Sequence, residues 1–96
     1  MVLLISYDLN GRERPSSYQK VKAFIEKNAQ SSIRPLYSQW LVETTASPDA
    51  WTDAMLDAGI IDSNDRLFIC EAAQPAQGWL DEGEWAWLRA RMTTRV

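Results

Sequence analysis

Hydrophobic and polar positions change period several times along this chain of 96 residues, and each change predicts an element. Val2 to Leu9 is a short, nearly continuous apolar run closed by Asn10-Gly11. Such a run reads as a central strand, with Leu3, Ile5 and Tyr7 on one face and Val2, Leu4, Ser6 and Asp8 on the other. A polar loop, Asn10 to Pro15, follows. Ser16 or Ser17 can then cap a helix in which Tyr18, Val21, Phe24, Ile25 and Asn28 recur at helical spacing. Lys20, Lys22, Glu26 and Lys27 fall mostly on its outer side.

Ser31 to Thr45 is too long for one ordinary strand. It divides into a short strand, Ser32 to Leu36, and a longer one, Ser38 to Thr44, in which Trp40 and Val42 share a face. Pro35 cannot donate a ladder hydrogen bond, so the short strand is assigned to a sheet edge. Ser47-Pro48-Asp49 predicts a helix start, with Trp51, Ala54, Met55 and Ala58 as the apolar stripe and Gly59 as the terminator. After the turn Asp62-Ser63-Asn64-Asp65, Arg66 to Ala72 reads as a fourth strand. Beyond Ala73 the period is ambiguous. Trp85 and Trp87 alternate as in a strand, whereas Trp85, Leu88 and Met92 fit a helix. This tail carries three of the five tryptophans, too much aromatic area to leave in water, so it packs on its own domain or on a partner.

The predicted order is β-α-β-β-α-β plus a tail. It implies an α+β, ferredoxin-like domain over 1–96, with a core over 1–73 and a Trp-rich extension over 74–96. A single antiparallel sheet in order 4-1-3-2 would carry two helices on one face. The other face, with Val2, Leu4, Ser6 and Asp8, would then be open in a monomer, and a homodimer would cover it.

Charge narrows the chemistry. The net charge of −3 does not favour broad electrostatic binding to nucleic acid. Six cations stand against four acids up to Pro48, and four against nine beyond it, so the first half is the better place for a polyanion contact. Histidine is absent, which removes histidine-based triads and nearly all zinc sites. The lone Cys70 excludes a disulfide framework within one chain and points to a buried, inert thiol in a cytoplasmic protein. The N-terminus shows no basic segment before its short apolar run, so neither a signal peptide nor a membrane span is expected.

The ISYDL strand, the helix after it, the YSQWLVE strand behind Arg34 and a last strand introduced by Asp-Ser-Asn-Asp together resemble a known family. These motifs are similar to those of the small CRISPR-associated adaptation nucleases, their stand-alone SinR-like relatives and the VapD-like toxins, over roughly Met1 to Ala72. The resemblance implies a ferredoxin-like homodimer in which the acid at the end of the first strand lies near its mate across the two-fold axis. In nuclease members that acid holds a divalent metal, and it matches Asp8 here. The implied activity is Mg²⁺- or Mn²⁺-dependent hydrolysis of RNA or DNA, a role in antiviral defence among them. Asp8 would be the catalytic residue and metal ligand, Arg12, Arg14 and Arg34 would meet substrate phosphates, and Ser6, Tyr7 and Ser38 would support the site.

Each assignment has a plainer counterpart. Asp8 can cap the loop that follows it or pair with Arg12. Arg12 and Arg14 can be solvated loop cations, Tyr7 can pack in the core, and Trp85 and Trp87 can form core or dimer contacts rather than stack on bases. The corresponding alternative function is a non-catalytic homodimeric module that binds a protein, a nucleic acid or a nucleotide-like ligand.

Overall fold

A computed structural model describes residues 1–9 and 15–93. Its elements run β1 (Val2–Asp8), α1 (Pro15–Asn28), β2 (Ser31–Leu36), β3 (Gln39–Glu43), α2 (Pro48–Asp57), β4 (Arg66–Ala72) and α3 (Glu82–Arg91). The four strands form one antiparallel sheet in the order β2-β3-β1-β4. The apolar strands β1 and β3 are central. β2 lies at an edge, and its register against β3 shifts between Ile33 and Leu36, around Pro35. A proline leaves a gap in the ladder, and an edge bulge absorbs it.

Alternation along β1 divides the molecule into two cores. Leu3, Ile5, Tyr7 and Leu9 point to one face, where α1 adds Val21 and Ile25, α2 adds Trp51 and Met55, and β3 adds Trp40 and Val42. α1 begins at Pro15, earlier than its serines predict, with the proline at the first helical position, where the absent N–H costs nothing. α2 begins as its sequence predicts: Ser47 Oγ accepts from the Ala50 N–H at 3.1 Å and Pro48 opens the first turn. It ends into Gly59, whose φ of 71° lies in the left-handed region where a side chain would be strained.

The opposite face corrects one expectation. It is not left open for a partner over its whole extent, because the tail folds back as α3 and covers the end bearing Val2 and Leu41. Leu88 is buried against both, with Leu4, Ile33, Leu80, Trp85, Trp87 and Met92 packed around them. Helices therefore flank the sheet on both sides rather than on one. The helical spacing of Trp85, Leu88 and Met92 prevails over the alternation of Trp85 and Trp87. One reason is local: Asp81 stands at the N-cap, and Glu84 Oε1 accepts from its backbone N–H at 3.0 Å. Polar ties fix the docking. Trp87 Nε1 donates to Ser31 Oγ at 2.9 Å, and the Gln74 N–H donates to the Thr93 carbonyl at 2.8 Å. Cys70 is only half-buried, on the α3 side opposite Leu4, rather than sealed in the core. Among the described residues, no helix is long and apolar enough to cross a membrane.

Candidate functional site

Asp8 is the last residue of β1, and the antiparallel ladder sets its surroundings. Asp8 lies opposite Arg66 of β4, while Ser6 lies opposite Phe68 on one side and Gln39 of β3 on the other. The pleat turns Asp8 and Ser6 away from α1 and α2, toward the α3 side. α3 packs over the far end of that face, on Val2, Leu4, Leu41 and Ile33. An open corner remains, formed by Ser6, Asp8, Gln39, Arg66 and Phe68.

This corner is polar with one apolar residue. Gln39 Nε2 donates to Ser6 Oγ at 3.3 Å, which orients both side chains. The Asp8 carboxylate is exposed, and no hydrogen bond or ion pair joins it to another described residue. Arg66 is exposed beside it. Phe68, at 65% exposure, is a large apolar side chain that its own chain does not cover. A shallow depression of about 230 Å³ is lined by Ser6, Tyr7, Asp8, Arg66, Leu67 and Phe68.

The structure separates several residues that the sequence grouped with Asp8. Tyr7 points to the opposite face and is buried in the main core, where its hydroxyl oxygen accepts from Trp40 Nε1 at 3.1 Å. Burial pushes the Tyr7 phenol above its ordinary pKa, and the Trp40 hydrogen bond and the charge of Arg34 pull it partly back. The Tyr7 ring is thus a packing group of the main core, although the residue also borders the depression beside Asp8. Ser38 sits in the β2–β3 turn, where its carbonyl accepts from the Tyr7 N–H at 3.2 Å. Arg34 also lies on the α1 side, with its guanidinium 5.5 Å from the Trp40 ring centre and 5.8 Å from that of Tyr37. Within one chain it is across the sheet from Asp8. Arg12 and Arg14 lie outside the described residues. Among the described residues of the proposed set, the structure brings the Ser6 side chain to the same face as Asp8.

Sequence reasoning missed two neighbours, Arg66 and Phe68. The alternation of β4 placed Phe68 on the Ser6 side, but the register that pairs Arg66 with Asp8 follows from the closed ladder and not from any motif. Among the described residues, no group of three or more histidine, cysteine, aspartate or glutamate side chains is placed to hold a metal ion. The sequence matches no protein-family model and no curated protein.

Proposed function

We propose that the chain is a ferredoxin-like homodimer whose paired Asp8 carboxylates hold Mg²⁺ or Mn²⁺ for phosphodiester hydrolysis of RNA or DNA, as the family resemblance implies. The first six elements, in the order β-α-β-β-α-β before α3, and the four-stranded antiparallel sheet support the fold reading. One observation carries the functional reading: an exposed carboxylate without a partner among the described residues, on the corner that α3 leaves open, beside an exposed phenylalanine. Phe68 supplies the apolar contact for a second copy. Asp8 and Arg66, side by side, let two copies related by a two-fold axis alternate their charges.

The donor set fits Mg²⁺ only as a pair. One carboxylate per chain is too few for a cage, but Mg²⁺ keeps several waters and needs as few as one or two carboxylates. Asp8 from each protomer would hold the ion, which when bound polarises a phosphate oxygen and activates water. Ser6 and Gln39 keep the adjoining surface fixed and polar. Arg12 and Arg14, which follow Asp8 in the sequence, are the phosphate-contacting candidates. Arg66 favours the second reading, a non-catalytic homodimeric binding module, because a cation opposite the carboxylate competes with a metal for it.

The test is cleavage of labelled single- and double-stranded RNA and DNA by wild type and Asp8→Asn, in Mg²⁺, Mn²⁺ or EDTA. Metal-dependent cleavage lost in the variant supports the nuclease. Cleavage that persists in Asp8→Asn rejects it, and no cleavage by either protein transfers the assignment to the binding module.

A further inference from the structure

The side of the sheet away from Asp8 carries a second feature that the nuclease reading does not use. An open groove of about 480 Å³ runs between α1 and the β2 edge, lined by Tyr18, Gln19, Lys22, Glu26, Arg34 and Tyr37. Its volume is within the range of small-molecule sites.

Two properties coincide there. The first is aromatic. Tyr37 is 65% exposed, yet its ring is held against Tyr18, with centroids 4.9 Å apart and planes at 48°, and Tyr18 is in turn 6.1 Å from Tyr7. A large ring kept at the surface and backed by a chain of rings into the core is a preformed stacking platform. The second is cationic. Arg34 is held over Tyr37 and Trp40, and no ion pair joins it to a described carboxylate. Lys22 meets Glu26 at 3.9 Å, with both side chains about half exposed, a weak and replaceable pair. Two cations against one acid give this groove a positive balance on a chain whose net charge is −3.

We infer that this groove binds a nucleotide unit, with the base stacked on Tyr37 and the phosphate at Arg34 and Lys22. A planar heterocycle joined to a phosphate ester is the chemistry that an aromatic platform beside two cations selects. Gln19 offers an amide donor and acceptor at the same groove. The acidic remainder of the chain disfavours a long polyanion track. The groove therefore reads one or two phosphates, and the salt dependence of binding is shallow, with a log–log slope of about −1. The unit comes either from a free nucleotide or from a single strand. This inference does not depend on the Asp8 reading.

The full chain is titrated in EDTA, so that no metal contributes, with AMP, with a labelled eight-residue oligoadenylate, and with inorganic phosphate. Amide NMR shifts and fluorescence anisotropy report binding. The expected result is that AMP shifts amides within 18–26 and 34–37, and that inorganic phosphate binds at least about tenfold more weakly. Tyr37→Ser and Arg34→Gln each weaken binding about fivefold or more, whereas Tyr37→Trp preserves it. Lys27→Gln, on the same helix outside the groove, leaves it unchanged. Comparable affinity for AMP and the oligomer assigns a free nucleotide, and an oligomer bound at least about tenfold more tightly assigns a single strand. The inference is overturned if neither nucleotide probe shifts the groove amides, if inorganic phosphate binds as well as AMP, or if Tyr37→Ser, which alters an exposed turn residue, leaves binding intact.

Discussion

Arg91 Nε donates to Glu43 Oε1 at 3.1 Å, joining the last turn of α3 to the end of β3. The same guanidinium lies 4.6 Å from the Trp87 ring centre and donates through Nη1 to the Trp87 carbonyl at 3.1 Å. The pair is partly exposed, so its Coulomb energy is small, and the apolar contacts beneath it dominate the docking of α3. Arg91→Ala should therefore cost no more than about 1 kcal/mol. Leu88→Ala, at a position 4% exposed between Val2 and Leu41, should cost roughly 2–5 kcal/mol. Urea denaturation of the two variants checks the order. A larger loss in Arg91→Ala would mean that charge, not burial, seats the helix.

Tyr7 makes stability depend on alkaline pH. Burial raises its phenol above the ordinary value of 10.0, so the folded state retains a proton that the unfolded chain gives up. The stabilisation is fully present below pH 10.0 and is lost as pH rises through the folded pKa. Tyr7→Phe should remove this component of the alkaline decline while lowering neutral stability by about 1–3 kcal/mol, because the buried Trp40 Nε1 loses its acceptor. The difference between wild-type and variant urea midpoints from pH 8 to 11, where the shared titrations of other groups cancel, is the measurement. A difference that does not narrow at the alkaline end refutes it.

Phe68 should control association. Phe68→Asp replaces the exposed apolar side chain of the open corner with a second carboxylate near Asp8. Light scattering across a concentration series should show the dissociation constant of the dimer rising about tenfold or more, with monomer stability changed by less than about 1 kcal/mol. Unchanged dimerisation would place the interface elsewhere, and with it the proposed meeting of two Asp8 side chains.

Gly59 should tolerate a side chain in space but not in conformation. A Cβ added there would meet nothing within 4 Å, while φ at 71° penalises any L-residue. Gly59→Ala is expected to cost about 1–2 kcal/mol through the backbone alone. Gly59→Asn should recover part of that loss, because asparagine enters the left-handed region more readily. Thermal melts of the pair measure it.

Most of the architecture was legible because local signals agreed with one another. Alternation in Val2 to Leu9 assigned both faces of β1, Pro35 placed β2 at an edge, and Ser47 and Gly59 bracketed α2. α3 was harder to read because Trp85 and Trp87 satisfy a period of two while Trp85 and Leu88 satisfy a helical one. Asp81 and Glu84, three residues apart before an apolar stretch, held the missing signal of a helix start. The surroundings of Asp8 were less legible. Which residue faces it depends on the register between β1 and β4, strands more than fifty residues apart in sequence. Arg34 lies within one chain on the face away from Asp8, because its face follows from strand pairing and from its position over Trp40, which short sequence motifs do not contain.

The two edges of the sheet are unequal. β2 carries Pro35 and a broken register, and such an edge is a poor template for a further strand. β4 runs regularly along β1 from Arg66 to Ala72. Strand addition from another molecule is therefore confined to the β4 side. Two chains joined β4 to β4 would present only their proline-bearing borders, and growth would stop there. The lone proline of β2 would thus act as a chain terminator for sheet polymerisation, ending a β4-to-β4 pair where a symmetric sheet could extend into fibres.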